Sequence, residues 1–139
     1  MEIQRFSIKN RKELKQHIPL LVSMCDYFTP LNTWMDEKLT YATDILYAVK
    51  QEKILGYIIA DKQKTHLEVE LICVGPEGRS MKGIGKKLMQ MCEEIAKEYK
   101  LSEIQLDAQP QAEGFYKYLG YTILQKNNTG VRMKKTVNI

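Results

Sequence analysis

The chain has 139 residues, 44% hydrophobic and 27% charged, which fits a single soluble globular domain and excludes disordered, collagenous and coiled-coil compositions. Its 21 Lys and Arg against 17 Asp and Glu leave a net charge of +4, enough to favour an anionic ligand but without the concentrated basic stripe of a nucleic-acid binder. No apolar run reaches the roughly 18 to 20 residues of a membrane span, and Met1-Glu2-Ile3-Gln4-Arg5 lacks the basic start of a secretory signal, so a cytoplasmic chain is expected.

Residues 3–8 read as a short opening strand. Asn10 with Glu13 forms a capping-box pattern, and Leu14, Ile18, Leu21, Val22 and Cys25 then share one helical stripe, which Pro19 kinks or divides. Residues 26–39 mix Tyr27, Phe28, Pro30 and Trp34 with polar residues, as in a structured loop or a short helix. Residues 45–49 and 54–60 are apolar runs joined by Lys50-Gln51-Glu52-Lys53, a hairpin. A third strand covers residues 67–74 and ends at Gly75-Pro76-Glu77-Gly78.

Residues 82–100 carry helical periodicity. Ile84, Leu88, Met91, Cys92, Ile95, Ala96 and Tyr99 mark one face, and Lys86, Gln90, Glu93, Glu94 and Lys97 the other. Ile104, Leu106 and Ala108 alternate with Glu103, Gln105 and Asp107, the pattern of a half-buried strand. Pro110 opens a further helix with apolar positions Ala112, Phe115, Tyr116 and Leu119, and Gly120 stops it. Residues 121–124 and 131–133, linked by Lys126-Asn127-Asn128-Thr129-Gly130, form a closing hairpin. This order predicts a mixed α/β domain around one central sheet, a single unit across residues 1–139. Cys25, Cys73 and Cys92 are odd in number, widely spaced and set in apolar runs, which predicts reduced, buried thiols and no metal site.

The informative segment runs from Gly75 through Arg79, Ser80, Met81 and Lys82 to Leu88. Glycines between a strand and a helix let main-chain amides approach a ligand with no Cβ in the way. The helix start adds unpaired N–H groups and a partial positive charge, which suit phosphate, and Arg79, Lys82, Lys86 and Lys87 add mobile cations. A dinucleotide fingerprint would need glycine where Leu88 stands. A Walker loop would need a hydroxyl after Gly85-Lys86, where Lys87 stands. A plain helix start with flexible glycines is the bland alternative.

Lys82-Gly83-Ile84-Gly85-Lys86-Lys87-Leu88 resembles the second half of the Gln/Arg-x-x-Gly-x-Gly/Ala signature of the GCN5-related N-acetyltransferases. Ala108-Gln109-Pro110-Gln111-Ala112-Glu113-Gly114-Phe115-Tyr116-Lys117-Tyr118-Leu119-Gly120-Tyr121 resembles that family's last block, typically Asn-x-x-Ala, an aromatic Tyr and Leu-Gly-Phe. Ser80 stands at the signature's Gln/Arg position. Val74 precedes Gly83 by nine residues where the family has eight, so a one-residue insertion would let Arg79 serve instead. Gln109 and Tyr121 replace the usual Asn and Phe.

The resemblance implies a single mixed, mostly antiparallel sheet of about six to seven strands flanked by helices. It implies acetyl-coenzyme A as acetyl-donor cosubstrate, with no metal and with neither nucleic acid nor membrane as partner. Main-chain groups of Ile72, Cys73 and Val74, the loop residues Arg79, Ser80, Met81, Lys82, Gly83, Ile84, Gly85 and Lys86, and then Gln109 and Phe115 would meet the coenzyme. Transfer to an amine, whose pKa is about 10 if it resembles lysine, needs a base, donors on the thioester carbonyl and a proton for the departing thiolate. Tyr116 occupies the position of the family's proton-donating tyrosine, with an ordinary core tyrosine as the alternative. Tyr118 and Tyr121 are lesser candidates.

Strand alternation puts Glu68 and Glu70 on one side. Glu68 aligns with the glutamate base of some members and Glu70 is the reserve; a water, or two glutamates on a solvated face, are the alternatives. Cys73 with His66 lacks the facing geometry of a nucleophile and base, and His17 reads as a surface residue. The family's acceptor site corresponds to about residues 25–39, where Tyr27, Phe28 and Trp34 could line a cleft or simply anchor a loop, and Asp26, Asp36 and Glu37 could attract a cation. The expected function is acetyl transfer to a primary amine of a small molecule, peptide or protein lysine. The rival is a non-catalytic acyl-coenzyme A-binding or protein-interaction module.

Overall fold

The computed structural model describes residues 2–5, 42–75 and 82–138. Its strands are β1 (Glu2–Arg5), β2 (Asp44–Lys50), β3 (Lys53–Lys62), β4 (Leu67–Val74), β5 (Glu103–Ala108), β6 (Thr122–Lys126) and β7 (Val131–Thr136). Two helices, α1 (Ile84–Glu98) and α2 (Glu113–Tyr118), flank them, and a 3-10 turn at Pro110–Ala112 leads into α2. The seven strands form one sheet in the order β1-β2-β3-β4-β5-β7-β6. Every neighbouring pair is antiparallel except β4 with β5, which is the mixed, mostly antiparallel sheet expected. The helical stripe expected from Leu14 to Cys25, the aromatics between residues 26 and 39 and His17 lie outside the described residues.

The β2–β3 connection is tighter than the four residues expected. Lys50 and Lys53 already pair, leaving Gln51 and Glu52 as a two-residue turn, both left-handed at φ 52° and 65°. Such a turn twists in the same sense as the strands it joins, which offsets the strain of two non-glycine residues there. In β4 a bulge at Glu70 sets Leu71 opposite Ile59 but Val69 opposite Ala60. Strict alternation therefore ends at Glu70, and Val69 and Ile72 both face the α1 side.

The main core lies between that face and α1. Ile84, Leu88, Met89, Cys92, Ile95 and Ala96 are buried against Ile58, Ala60, Leu67, Val69, Ile104, Leu106 and Met133. Each large apolar side chain so buried contributes about 1.5–3 kcal/mol. The stripe runs round the helix from Ile84 to Met89; Met91, expected within it, falls just past its edge and is half-buried. Ile45, Tyr47, Tyr57, Ile59 and Cys73 are buried as well. Cys73 and Cys92 are buried thiols outside any disulfide, as expected; Cys25 lies outside the described residues.

Asp44, only 1% exposed, ties β1 and β2 to the end of α1. Its carboxylate accepts from Arg5 Nε at 2.8 Å, Tyr99 Oη at 2.6 Å and Thr43 Oγ1 at 3.0 Å. Arg5 also bonds Glu98 at 2.6 Å. Several donors offset the hydration that a carboxylate gives up on burial.

Candidate functional site

Strands β4 and β5 pair at three positions only: Leu67 with Ile104, Glu68 with Gln105 and Val69 with Leu106. Beyond that point β4 stays on β3 as far as Val74 opposite Gly56, and β5 stays on β7 as far as Ala108 opposite Val131. The two halves of the sheet thus diverge and leave a split between residues 71–74 and 107–108. Gly56 lets β3 and the end of β4 approach: a Cβ there would stand 2.9 Å from the Cys73 carbonyl oxygen. The same Cβ would lie 3.5 Å from Ile84 Cγ2, so the start of α1 sits over the end of β4.

Gly83 caps α1 with φ 89° and ψ 6°, a left-handed conformation that L side chains resist, and no side chain bonds the cap. Among the described residues, no atom lies within 4 Å of a Cβ built at Gly83. The first helical bond runs from Lys87 N–H to the Gly83 carbonyl at 3.0 Å. The amides of Ile84, Gly85 and Lys86 precede it and have no partner within the helix. No acidic residue occupies this first turn, and Lys82, Lys86 and Lys87 ring it, so helix dipole and side chains together favour an anion.

Gly85 brings the two motif blocks together. A Cβ at that position would come within 3.2 Å of Phe115 Cζ, so the ring of α2 lies against the first turn of α1. Lys86 Nζ stands 5.6 Å from the centre of the exposed Tyr118 ring. Lys86, Gln90 and Tyr118 border a cavity of about 290 Å³ between the two helices.

The expected coenzyme residues divide by what they present. Ile84 is 2% exposed, so its side chain belongs to the core and only its main chain faces the loop. Ile72 and Val74 are half-buried against the core, and Cys73 is 1% exposed. Lys82 and Lys86 are exposed. Gln109 takes the Ala112 N–H on its carbonyl at 2.9 Å, and its side chain accepts from Gln111. Phe115 departs from the apolar stripe expected of its helix: it is 38% exposed, because the short α2 buries Tyr116 alone. Arg79, Ser80 and Met81 lie outside the described residues.

Tyr116 is 5% exposed, edge-on to Phe115 at 5.1 Å and to Tyr121 at 5.7 Å between ring centres. Tyr121 is buried too, and burial above all pushes its hydroxyl pKa far up. Glu70 occupies the bulge, one residue before the split opens. Glu68 is held otherwise. Arg132 of β7 grips both its oxygens, Nη1 to Oε2 at 2.6 Å and Nη2 to Oε1 at 2.5 Å. His66 Nε2 adds a contact to Oε1 at 2.9 Å, while its Nδ1 meets Thr65 Oγ1, so His66 is engaged away from any thiol. The bond to Glu68 leads the causes that push the Arg132 guanidinium pKa upward. Arg132 is the residue the sequence reading missed. Its one signal was a basic side chain in an alternating strand, Val131-Arg132-Met133, which a carboxylate on a neighbouring strand can pair.

The sequence matches the acetyltransferase (GNAT) domain family model over residues 27–135. No curated protein matches it. Among solved structures, the aminoglycoside 6'-N-acetyltransferase from Enterococcus faecium is 20% identical with a TM-score of 0.79, over 100% of this chain and 98% of that one. The PaiA N-acetyltransferase from Thermoplasma acidophilum, in complex with coenzyme A, is 18% identical with a TM-score of 0.70, over 98% and 99%. Tetrahymena GCN5 is 14% identical with a TM-score of 0.72, over 99% and 97%. At these identities the likeness is one of fold.

Proposed function

This chain belongs to the GNAT acetyltransferase family, and from that premise we propose that it carries acetyl from acetyl-coenzyme A directly to a primary amine. One juxtaposition supports the reading most: the split between β4 and β5 ends beside the left-handed Gly83 turn, with Phe115 of α2 laid against Gly85. The residues fit the coenzyme as a substrate. Left-handed Gly83 and the first-turn amides of α1 suit its pyrophosphate, and Lys82, Lys86 and Lys87 supply counter-charge. The slim pantetheine arm suits the split, where main-chain amides of Ile72, Cys73 and Val74 would polarise the thioester carbonyl. Arg79, Ser80 and Met81 complete the loop in this proposal.

Tyr116 gives its hydroxyl proton or a hydrogen bond to the departing thiolate, a task a phenol performs without being ionised itself. Glu70 takes the amine proton, directly or through a water. It stands at the bulge beside the split, whereas Glu68 lies within the ladder in the grip of Arg132. Removing that proton frees the nitrogen lone pair to attack the carbonyl carbon, and the C–S bond then breaks with its electrons on sulfur. No acyl group rests on the protein.

The acceptor is an amine of a small molecule or peptide, or a protein lysine. The test is thiol release from acetyl-coenzyme A with an aminoglycoside, a polyamine, a peptide N-terminus and a lysine peptide. Release that needs the amine, with intersecting double-reciprocal plots, is expected. Parallel plots would replace direct transfer by an acyl-enzyme route. Coenzyme binding with no release from any amine would make the chain a binding module.

A further inference from the structure

We infer that Arg132 and Glu68 form a strut that sets how far the two halves of the sheet open. The β1-β2-β3-β4 half meets the β5-β7-β6 half through one short ladder of three residue pairs. Glu68 and Gln105 are the middle pair of that ladder. Arg132 starts from β7, opposite Asp107, and reaches over β5 to β4. Its guanidinium holds both Glu68 oxygens, Gln105 Oε1 at 3.0 Å and Asp107 Oδ2 at 3.3 Å. One side chain therefore joins three strands, one residue short of where β4 and β5 part.

The chemistry suits a strut better than a surface ornament. Glu68 is 14% exposed and Arg132 26%, so the pair is partly withdrawn from water, and the forked, two-point contact fixes direction as well as distance. A lysine would keep the charge and lose the fork. Neither group is asked to touch substrate; both act on the width of the split. The part of the inference that concerns the coenzyme rests on the acetyl-transfer reading above.

Two readouts on Arg132→Lys, Arg132→Met, Glu68→Gln and the Glu68→Gln/Arg132→Met double variant test it. Amide exchange of the ligand-free protein should show lost protection at Val69 and Leu106 in each variant, with the β2–β3 hairpin unchanged. Calorimetry with coenzyme A should show Kd raised about ten-fold in each single variant, the double variant no worse than either, because the two residues work as one unit. Saturating acetyl-coenzyme A should restore most of kcat in the Arg132 variants. Arg132→Lys, the mildest change, keeps the test valid if Arg132→Met does not fold.

Unchanged exchange at the ladder in Arg132→Lys and Glu68→Gln would overturn the strut. So would a Glu68→Gln variant that binds coenzyme A like wild type yet loses kcat by about 10²–10⁴, the loss expected of a general base. A wild-type protein that binds no coenzyme A would instead defeat the acetyl-transfer reading, while the exchange data would still judge the strut.

Discussion

Tyr116 and Gly83 divide the proposed work between proton supply and ligand seating, and single substitutions should separate the two. Tyr116→Phe keeps the ring that packs edge-on to Phe115 and Tyr121 and removes only the hydroxyl. Turnover should fall about 10²-fold with the Kd for coenzyme A unchanged, as loss of a positioned acid requires. Unaltered kcat would return Tyr116 to an ordinary core role. Gly83→Val acts by another route. None of the described residues lies within 4 Å of the new Cβ, but a β-branched residue at φ 89° is strained, and the first-turn amides must shift. Steady-state kinetics should show KM for acetyl-coenzyme A raised and kcat largely kept. Both residues stood out as candidates in the sequence because each sits in a local pattern, glycines at a helix start or an aromatic pair before Leu119-Gly120. Arg132 was not legible, since its partner Glu68 is 64 residues away and strand order decides the meeting.

Among the elements, the end of α1 is fastened to β1 and β2 by Arg5, Asp44 and Tyr99, and this fastening has a pH signature. Burial first, then donation to Asp44, raises the Tyr99 hydroxyl above its ordinary value. The folded protein thus holds that proton more tightly than the unfolded chain does. The resulting stability is complete below pH about 10 and is lost as pH climbs through the folded value. Tyr99→Phe should therefore be less stable than wild type at pH 7, and the two should converge in urea midpoint above pH about 10. Parallel profiles would mean that Tyr99 does not titrate with unfolding. The elements themselves followed from periodicity: β4 was expected over residues 67–74 and found there, and the α1 stripe erred in trading Met89 for Met91 and in including Tyr99, the half-buried C-cap. The bulge at Glu70 escaped notice because a bulge is defined by the partner strand. One sequence, read by alternation, carries no sign of the residue that β3 leaves unopposed.

At the scale of the whole molecule, the sheet is two halves held by a three-residue parallel ladder and by α1, which packs on β2, β3 and β4 of one half and β5 of the other. The element order implied one central sheet, but the split within it depends on where two strands stop pairing, a property of their relative twist that no single strand encodes. Such a sheet is weakest along the split. A ligand seated there touches both halves and adds its binding free energy to the folded state alone. At about 100 times its Kd, acetyl-coenzyme A should stabilise the protein by roughly 2.7 kcal/mol, which for a chain of this length is about 5 to 10 °C in Tm. The gain should fall on the split itself, so amide exchange should slow most at residues 71–74 and 107–108, and less in the β2–β3 hairpin. A Tm rise with protection confined to the surface of α1 would place the nucleotide on the helix start without the arm entering the sheet. An unchanged Tm with intact coenzyme would leave Gly83 as a helix cap and the split as a feature of the fold alone.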